Sequence, residues 1–238
     1  TSVFATRIFE GQMYGKSGEA HLLSYEKFPY LALAKTYNSN AQSPDSAGTA
    51  VAMVAGVKTR QGVLGVDEFL ERTDCDGVPE HSFPNLGHMA QARGFATGVV
   101  STARITHATP ASVYASSADR NYEDNSKLPK GCTGQEDIAS QLINSKLDLA
   151  MGGGRRHFIP KSVKDQEGKN GKRTDGKNLI EAWKEDGGQF AWNDETHSRL
   201  DLNGGKILGL YESSHMKYEH DRTGEPSLAE MTKTAIQC

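Results

Sequence analysis

An Asp-Ser pair stands where a predicted strand, a short loop and a predicted helix meet. In "QSPDSAGTAV" (42–51), Asp45 and Ser46 open an Ala-rich run that is typical of a helix. The free N–H groups and the positive dipole end of a helix start can bind phosphate or another anion, and they favour loss of the serine proton. Asp and Ser are also the preferred helix caps, and the G-x-S-x-G nucleophile elbow is absent here. Local reasoning leaves Ser46 as either a plain cap or a nucleophile.

Three more residues with chemical potential lie in "ARITHATPASVYASSADRNY" (103–122), after another predicted strand. His107 and Thr109 are two apart, so in an extended segment both would point to one side, where an imidazole and a hydroxyl can serve a hydrated metal ion. Arg120 could hold a phosphate through two parallel hydrogen bonds. The alternatives are a histidine that makes surface hydrogen bonds and a solvated arginine.

Units of amphipathic helix, glycine and apolar strand recur along the chain and predict an α/β fold with a mostly parallel sheet. Ligands bind such sheets beyond the carboxyl ends of the strands. The Gly-rich "MGGGRRHF" (151–158) lacks the spacing of a P-loop or dinucleotide fingerprint and is interpreted as a strand-end turn. Strands are predicted at 30–38, 95–102, 147–153, 189–193 and 205–212, and helices at 46–58, 84–93, 136–145 and 176–188.

Two polar stretches are predicted to be surface excursions. Residues 116–131 carry few apolar side chains and one proline, and residues 161–178 are dense in Lys, Gly and Asp. Segments of this composition are expected to stay outside a core.

The composition is that of an ordinary soluble globular protein. The chain has 238 residues, of which 24% are charged and 36% hydrophobic, and its net charge is −3. That charge gives no electrostatic footprint for nucleic acid. We expect no transmembrane helix, since no run of about 18 apolar residues occurs, and no signal peptide at the start. Because the chain begins with Thr rather than Met, it is either processed or a piece of something longer.

Three cysteines are present, and two of them, Cys75 and Cys132, lie in polar, Gly-bearing stretches. Exposed loop cysteines are typical of a disulfide formed in an oxidising compartment. Unrelated free thiols are the alternative.

Several motifs, taken in order, resemble those of the alkaline phosphatase family, closer to its animal-like branch than to the enteric bacterial form. They are "PDSAGTA", "THATPA" followed by "DRNY", "MGGGRR", "DGKNL" and "EPSLAEMT". The resemblance spans essentially the whole chain. It implies a three-layer α/β sandwich around a central, mostly parallel sheet. It also implies hydrolysis of small-molecule phosphate monoesters through a phosphoserine, at a site with two zinc ions and one magnesium ion.

The resemblance assigns roles to single residues. Ser46 matches the nucleophile, whose oxygen zinc would bind and activate, and Arg120 matches the arginine that clamps the phosphoryl oxygens, with Asp45 helping to hold it. Thr109 matches a hydroxyl ligand of magnesium. His107 stands where the enteric form has Asp; because magnesium prefers oxygen, His107 would act through a bound water or make that site less selective.

The resemblance carries three further expectations. Cys75 and Cys132 fall where animal-like members form a disulfide. The stretch 210–227 resembles a peripheral calcium-binding segment, with the Tyr211 carbonyl, Glu212 and Glu225 as candidate ligands, although Asp is common at the last position. A homodimer in the periplasm, outside the cell or at the cell surface is also expected.

The family's pattern is only partly present, which predicts one incomplete domain over residues 1–238. A Gly-Asp-Gly-Met-Gly strand end, whose Asp bridges zinc and magnesium, would precede Thr1. A Glu ligand of magnesium and the Asp and His ligands of both zincs would follow Cys238. Because zinc needs three or four ligands, we expect negligible phosphatase activity from these residues alone.

Two other functions remain as hypotheses. One is a phosphodiesterase or a sulfatase-like relative of the same fold, which the intact "PDSAGTA" and Arg120 disfavour. The other is a catalytically silent anion-binding module that uses the helix start at Ser46 and the basic loop 169–173.

Overall fold

The structure, a computed structural model, describes residues 3–17 and 20–238. The chain divides into two compact units, Thr1–Lys35 and Thr36–Cys238. The expectation of one domain over residues 1–238 stays a prediction, and the two units are described separately.

The first unit contains helix α1 (Val3–Met13) and a 3-10 helix (Ser24–Lys27). Glu26 joins them, because its carboxylate accepts hydrogen bonds from the guanidinium of Arg7 and from the backbone N–H of Leu23.

The second unit is built on a four-stranded sheet in which every pair of neighbouring strands is parallel. The spatial order is β1-β2-β4-β3. Four of the predicted strands are thereby confirmed, each shorter than predicted or shifted at one end. The strands are β1 (Gly98–Arg104), β2 (Leu149–Gly153), β3 (Gln189–Ala191) and β4 (Ile207–Leu210).

Helices connect and flank these strands, as an α/β fold requires. Among the described residues, no helix is long and apolar enough to cross a membrane. The helices are α2 (Ser46–Ala55), α3 (Val78–His81), α4 (Leu86–Gln91), α5 (Ala108–Ala111), α6 (Ile138–Asn144), α7 (Leu179–Glu185), α8 (Asp194–Ser198) and α9 (Leu228–Gln237). Short 3-10 helices lie at Asn125–Lys127, Arg155–His157 and Glu219–Asp221.

Side chains of the central strand β2 alternate between two apolar clusters. Leu149 and Met151 pack in one cluster with Met231 of α9. Ala150, between them, belongs to the opposite cluster with Leu142 of α6. Because successive residues of a strand point to opposite faces, the sheet lies between two helical layers. The three-layer α/β architecture is confirmed.

The strand predicted at 30–38 is wrong. These residues are irregular, and Leu31 and Leu33 are 94% and 99% exposed. Asn38, at the end of the run, makes an isolated bridge to Ala41. An apolar run becomes a strand only where a neighbouring strand takes up its backbone hydrogen bonds, and periodicity cannot show whether one is near.

The surface placement of 116–131 is also wrong for its first half. Asp119 and Asp124 are buried. Asp119 accepts two hydrogen bonds from the guanidinium of Arg72, at 2.8 and 3.1 Å, and Asp124 lies 2.5 Å from the imidazole of His157. Polar side chains can lie inside a protein when each finds such a partner.

The second polar stretch, 161–178, is mostly exposed, but one of its cationic side chains is buried. Arg173 is buried, and its guanidinium donates to both oxygens of Asp137 at 2.9 and 3.0 Å and to Asp175 at 2.6 Å. This stretch therefore anchors itself to α6, whose N-cap residue is Asp137.

A disulfide joins Cys75 to Cys132, with Cα atoms 5.5 Å apart, and confirms the expected pairing. Cys75 packs in a small apolar cluster with Ala118 and Tyr122. The bond therefore braces the segment that also carries Arg120.

Removing this bond is expected to destabilise the protein. Replacing Cys75 and Cys132 by Ser should lower the free energy of unfolding by about 4 kcal/mol, because the bond closes a long loop in the unfolded chain. Urea denaturation measures the change, and Cys238→Ser, which removes the exposed free thiol, is the control. Equal stabilities of the double variant and the control would contradict the expectation.

Candidate active site

Helix α2 begins at Ser46, and Asp45 fixes that beginning. Asp45 is the N-cap residue, and its Oδ1 accepts from the backbone N–H of Gly48 at 3.0 Å. The hydroxyl of Thr49 donates to the Asp45 carbonyl at 2.9 Å. The interpretation of Ser46 as a plain cap is wrong, because the residue before it, Asp45, is the N-cap. Ser46 is the first helical residue and is only partly buried.

The glycine of "DSAGTA" is required by a close approach. A Cβ atom at Gly48 would lie 2.6 Å from the side chain of Asn38. Asn38 is itself buried and donates from Nδ2 to Oδ1 of Asp45 at 3.1 Å. A larger residue at 48 would displace the amide that helps to orient the Asp45 carboxylate.

Arg120 reaches this helix start from a distant part of the chain. One terminal nitrogen of its guanidinium donates to Oδ2 of Asp45 at 2.9 Å, and the other lies 3.1 Å from Nε2 of His107. Its backbone N–H donates to the carbonyl of Gly62 at 2.8 Å. A guanidinium has five N–H donors, so these two side-chain contacts orient it and leave donors for an anion.

Asp45 is charged in this setting. Burial by itself would raise its pKa, but the Gly48 N–H, the Arg120 guanidinium and the Asn38 amide together outweigh burial and lower the pKa below its ordinary value. The carboxylate therefore holds the arginine as an ion pair at neutral pH.

His107 is neutral and presents a lone pair to the arginine. Burial first, and then the charges of Arg104 and Arg120, lower its pKa to about 4. Since Arg120 donates to Nε2, the hydrogen of the neutral ring is assigned to Nδ1. His107 does lie at the site, next to the residue proposed to clamp phosphate.

Thr109 is placed differently from the expectation. His107 is the N-cap of α5, so the segment turns into a helix instead of continuing as a strand. The side chains of His107 and Thr109 therefore do not share one side of an extended chain, and Thr109 is exposed. Helices α2 and α5 pack against each other, which keeps both residues in the region of Ser46.

A buried acid near the site was missed by the sequence reasoning. Glu123 accepts three hydrogen bonds from the guanidinium of Arg104, at 3.2, 2.8 and 2.7 Å, and one from the Thr106 hydroxyl at 2.6 Å. Burial acts to raise the Glu123 pKa, but the Arg104 hydrogen bonds, the nearby His157 and Thr106 lower it overall. This acid lies in the polar run that had been assigned to the surface.

Arg104 also contacts a second histidine of the same region. Its guanidinium lies 2.6 Å from Nε2 of His215, whose ring centroid is 5.3 Å from that of His107. Arg104 ends β1 and His215 follows β4, so both come from carboxyl ends of the sheet. The topological rule for ligand sites in α/β sheets was the one sequence signal that could have pointed to them.

Comparison with known proteins finds relatives that match the whole chain. The family profile described as alkaline phosphatase matches residues 1–238. The human tissue-nonspecific alkaline phosphatase is 41% identical over 254 residues, covering 100% of this chain and 48% of that protein. The membrane-bound alkaline phosphatase of Bombyx mori is 42% identical over 251 residues, covering 98% of this chain and 46% of that protein. The crystal structure of Thermus thermophilus alkaline phosphatase superposes with a TM-score of 0.74 at 28% identity, covering 98% of this chain and 44% of that one.

The chain belongs to the alkaline phosphatase family. It spans about half the length of the curated relatives that it matches. The structure joins Asp45, Arg120 and His107 at the start of the helix that Ser46 opens, and these are residues on which the family resemblance was recognised.

The family generally uses zinc and magnesium. In the stretches 3–17 and 20–238, no group of three or more His, Cys, Asp or Glu residues is arranged to hold a metal ion. The Nε2 lone pair of His107 is directed at Arg120. Ser46, His107 and Thr109 remain predicted metal-site residues, too few for the three or four ligands that zinc requires.

The ion pair between Asp45 and Arg120 predicts a pH-dependent contribution to stability. Asn at position 45 keeps the cap but loses the charge, so Asp45→Asn should cost about 1–3 kcal/mol near neutral pH. Because the folded pKa of Asp45 lies below 3.8, this difference should be full above about pH 5 and should shrink as the pH falls through that pKa.

Urea denaturation of both proteins between about pH 3 and pH 7 measures this difference. Asp45→Ala, which also removes the cap, should add a pH-independent loss of about 1 kcal/mol. A difference between wild type and Asp45→Asn that does not change with pH would contradict the ion pair's role.

Proposed function

We propose that this chain carries the nucleophile and the phosphate clamp of a metal-dependent phosphomonoesterase. The observation that supports this most directly is the Arg120 guanidinium, fixed between Asp45 and His107 beside Ser46. A local N-cap has no need of an arginine from elsewhere in the chain. A site for a dianionic phosphoryl group needs one, because planar guanidinium and phosphate oxygens pair through parallel hydrogen bonds.

The chemical step proposed for Ser46 is a transfer of the phosphoryl group to its hydroxyl oxygen. A bond forms between Oγ and phosphorus while the bond to the alcohol oxygen of the substrate breaks, and the serine proton ends on the released alcohol. Water then cleaves the phosphoserine, restoring the hydroxyl and releasing inorganic phosphate. Arg120 and the N–H groups at the start of α2 orient the phosphoryl group and stabilise its charge throughout.

The anion-binding alternative loses part of its support. Its basic loop was 169–173, but the Lys169 ammonium lies 2.6 Å from Glu212, and the buried Arg173 is paired with Asp137 and Asp175. These cations are neutralised within the chain. The start of α2 remains as an anion site, and covalent labelling distinguishes simple binding there from catalysis.

Two properties of the whole protein belong to the same proposal. The disulfide supports residence in an oxidising compartment, either the periplasm, the extracellular space or the cell surface. A homodimer with small-molecule phosphate monoesters as substrates is proposed from family membership.

A covalent phosphoserine at Ser46 is the decisive test. The protein that contains this chain is incubated with inorganic phosphate at acid pH, quenched and digested, and phosphate is located by mass spectrometry. Label is expected on Ser46, to be absent in Ser46→Ala and to persist in Ser43→Ala, which alters an exposed serine in the preceding loop. Phosphate binding without label would support the silent module.

Replacing Arg120 by Ala should leave the nucleophile Ser46 in place but weaken the binding of phosphate. Loss of charged hydrogen bonds worth about 1.5–3 kcal/mol predicts roughly 10- to 100-fold weaker inhibition by inorganic phosphate, measured on p-nitrophenyl phosphate hydrolysis by the protein that contains this chain.

For the 238-residue chain alone, with zinc and magnesium added, negligible turnover of p-nitrophenyl phosphate is expected. Robust turnover that depends on Ser46 would show that these residues suffice for catalysis.

A further inference from the structure

The segment expected to bind calcium, 210–227, follows strand β4. Calcium takes six to eight oxygen ligands, from carboxylates, carbonyls and water. The candidates here were the Tyr211 carbonyl and the carboxylates of Glu212 and Glu225, and the structure shows what these carboxylates contact.

The Glu212 carboxylate is already bound to a cation of the chain. Its Oε1 lies 2.6 Å from the ammonium nitrogen of Lys169 and accepts from the backbone N–H of Ser213 at 2.7 Å. The same ammonium lies 3.6 Å from Oε2 of Glu167, an oxygen that also pairs with the guanidinium of Arg155. Lys169 thus lies between two carboxylates that come from different loops.

The loop around Lys169 is organised to place it there. Oδ1 of Asp165 accepts from the backbone N–H groups of Glu167 and Lys169, at 3.0 and 2.8 Å, while the Asp165 N–H donates to the Lys169 carbonyl at 2.8 Å. The other oxygen of Asp165 is bound at 3.0 Å by Arg155, which is fully buried. A buried arginine therefore anchors the turn that holds Lys169 against Glu212.

Glu225, the third candidate, is engaged by its own loop. Its Oε1 accepts from the backbone N–H of Lys217 at 2.7 Å, and its carbonyl accepts from Arg222 at 2.8 Å. Within the described ranges, which include all these residues, no three carboxylates converge on a common metal position. With Glu212 bound by Lys169 and Glu225 bound by its own loop, the donor set does not fit a calcium ion.

We propose that Lys169 is the resident cation of this cluster, with its ammonium bridging Glu212 and Glu167 where a divalent ion would otherwise be needed. A tethered ammonium neutralises the carboxylates at any calcium concentration, since no free ligand has to bind. The segment after β4 is thereby held to the 161–178 loop without calcium. This inference is independent of the proposed phosphatase activity.

Thermal unfolding with and without calcium tests the proposal. The melting temperature of the wild type should be the same in EDTA and in millimolar calcium chloride. Lys169→Met, which keeps the aliphatic stem but removes the charge, should melt about 2–4 °C lower in EDTA, and calcium should restore part of the loss. Lys164→Met, at an exposed lysine of the same loop, is the matched control and should behave as the wild type.

Two results would overturn the proposal. One is a wild-type melting temperature that rises by several degrees in calcium, with binding confirmed by calorimetry. The other is a Lys169→Met protein as stable as the wild type and unaffected by calcium. If Lys169→Met does not fold, Lys169→Met/Glu212→Gln, which removes both charges, should fold and show no calcium response; failure of this double variant also counts against the proposal.

Discussion

One carboxylate, that of Asp45, accepts hydrogen bonds from the start of α2, from Asn38 and from Arg120. Through these contacts the Asp45 carboxylate alone fixes the first turn of α2, the loop that carries Asn38 and the guanidinium of Arg120. The carboxylate stays ionised because its partners outweigh the effect of burial. The geometry around Ser46 therefore depends on a partly buried charge that is compensated by its partners.

The same principle organises the rest of the sheet's carboxyl edge. Glu123 is compensated by Arg104, and the buried Arg155 and Arg173 by carboxylates. Such pairs add little net stability, because desolvating two charges is expensive. Their effect is to specify position, because each charge is tolerated only with its partner in place. Loops that composition alone would assign to solvent are thereby held in defined positions around the site.

Metal ions are expected to supply positive charge where the chain has no cation of its own to balance its carboxylates. Around Ser46 the chain offers Arg120 and the hydroxyl groups of Ser46 and Thr109, which are too few ligands for zinc. After β4 it offers the ammonium of Lys169, which pairs with Glu212. In both regions a carboxylate is paired with a cation of the chain itself, Asp45 with Arg120 and Glu212 with Lys169.

Much of the architecture could be predicted because it is encoded in local patterns. Helix–glycine–strand units identified β1 to β4 and the principal helices, and an Asp-Ser pair before an Ala-rich run identified the start of α2. The strand at 30–38 was wrongly predicted because an apolar run does not reveal whether a pairing partner exists. The extended arrangement of His107 and Thr109 failed because a short helix begins between them.

By itself the sequence determined the fold class, the family, and the position of Ser46 at a helix start, since each is carried by residues close together in the chain. Only the tertiary structure decided which charges meet. Arg120 lies 75 residues from Asp45, and Lys169 lies 43 residues from Glu212. Contacts over such separations are set by how loops pack against the sheet and by the need to pair every buried charge. No local periodicity encodes those two conditions.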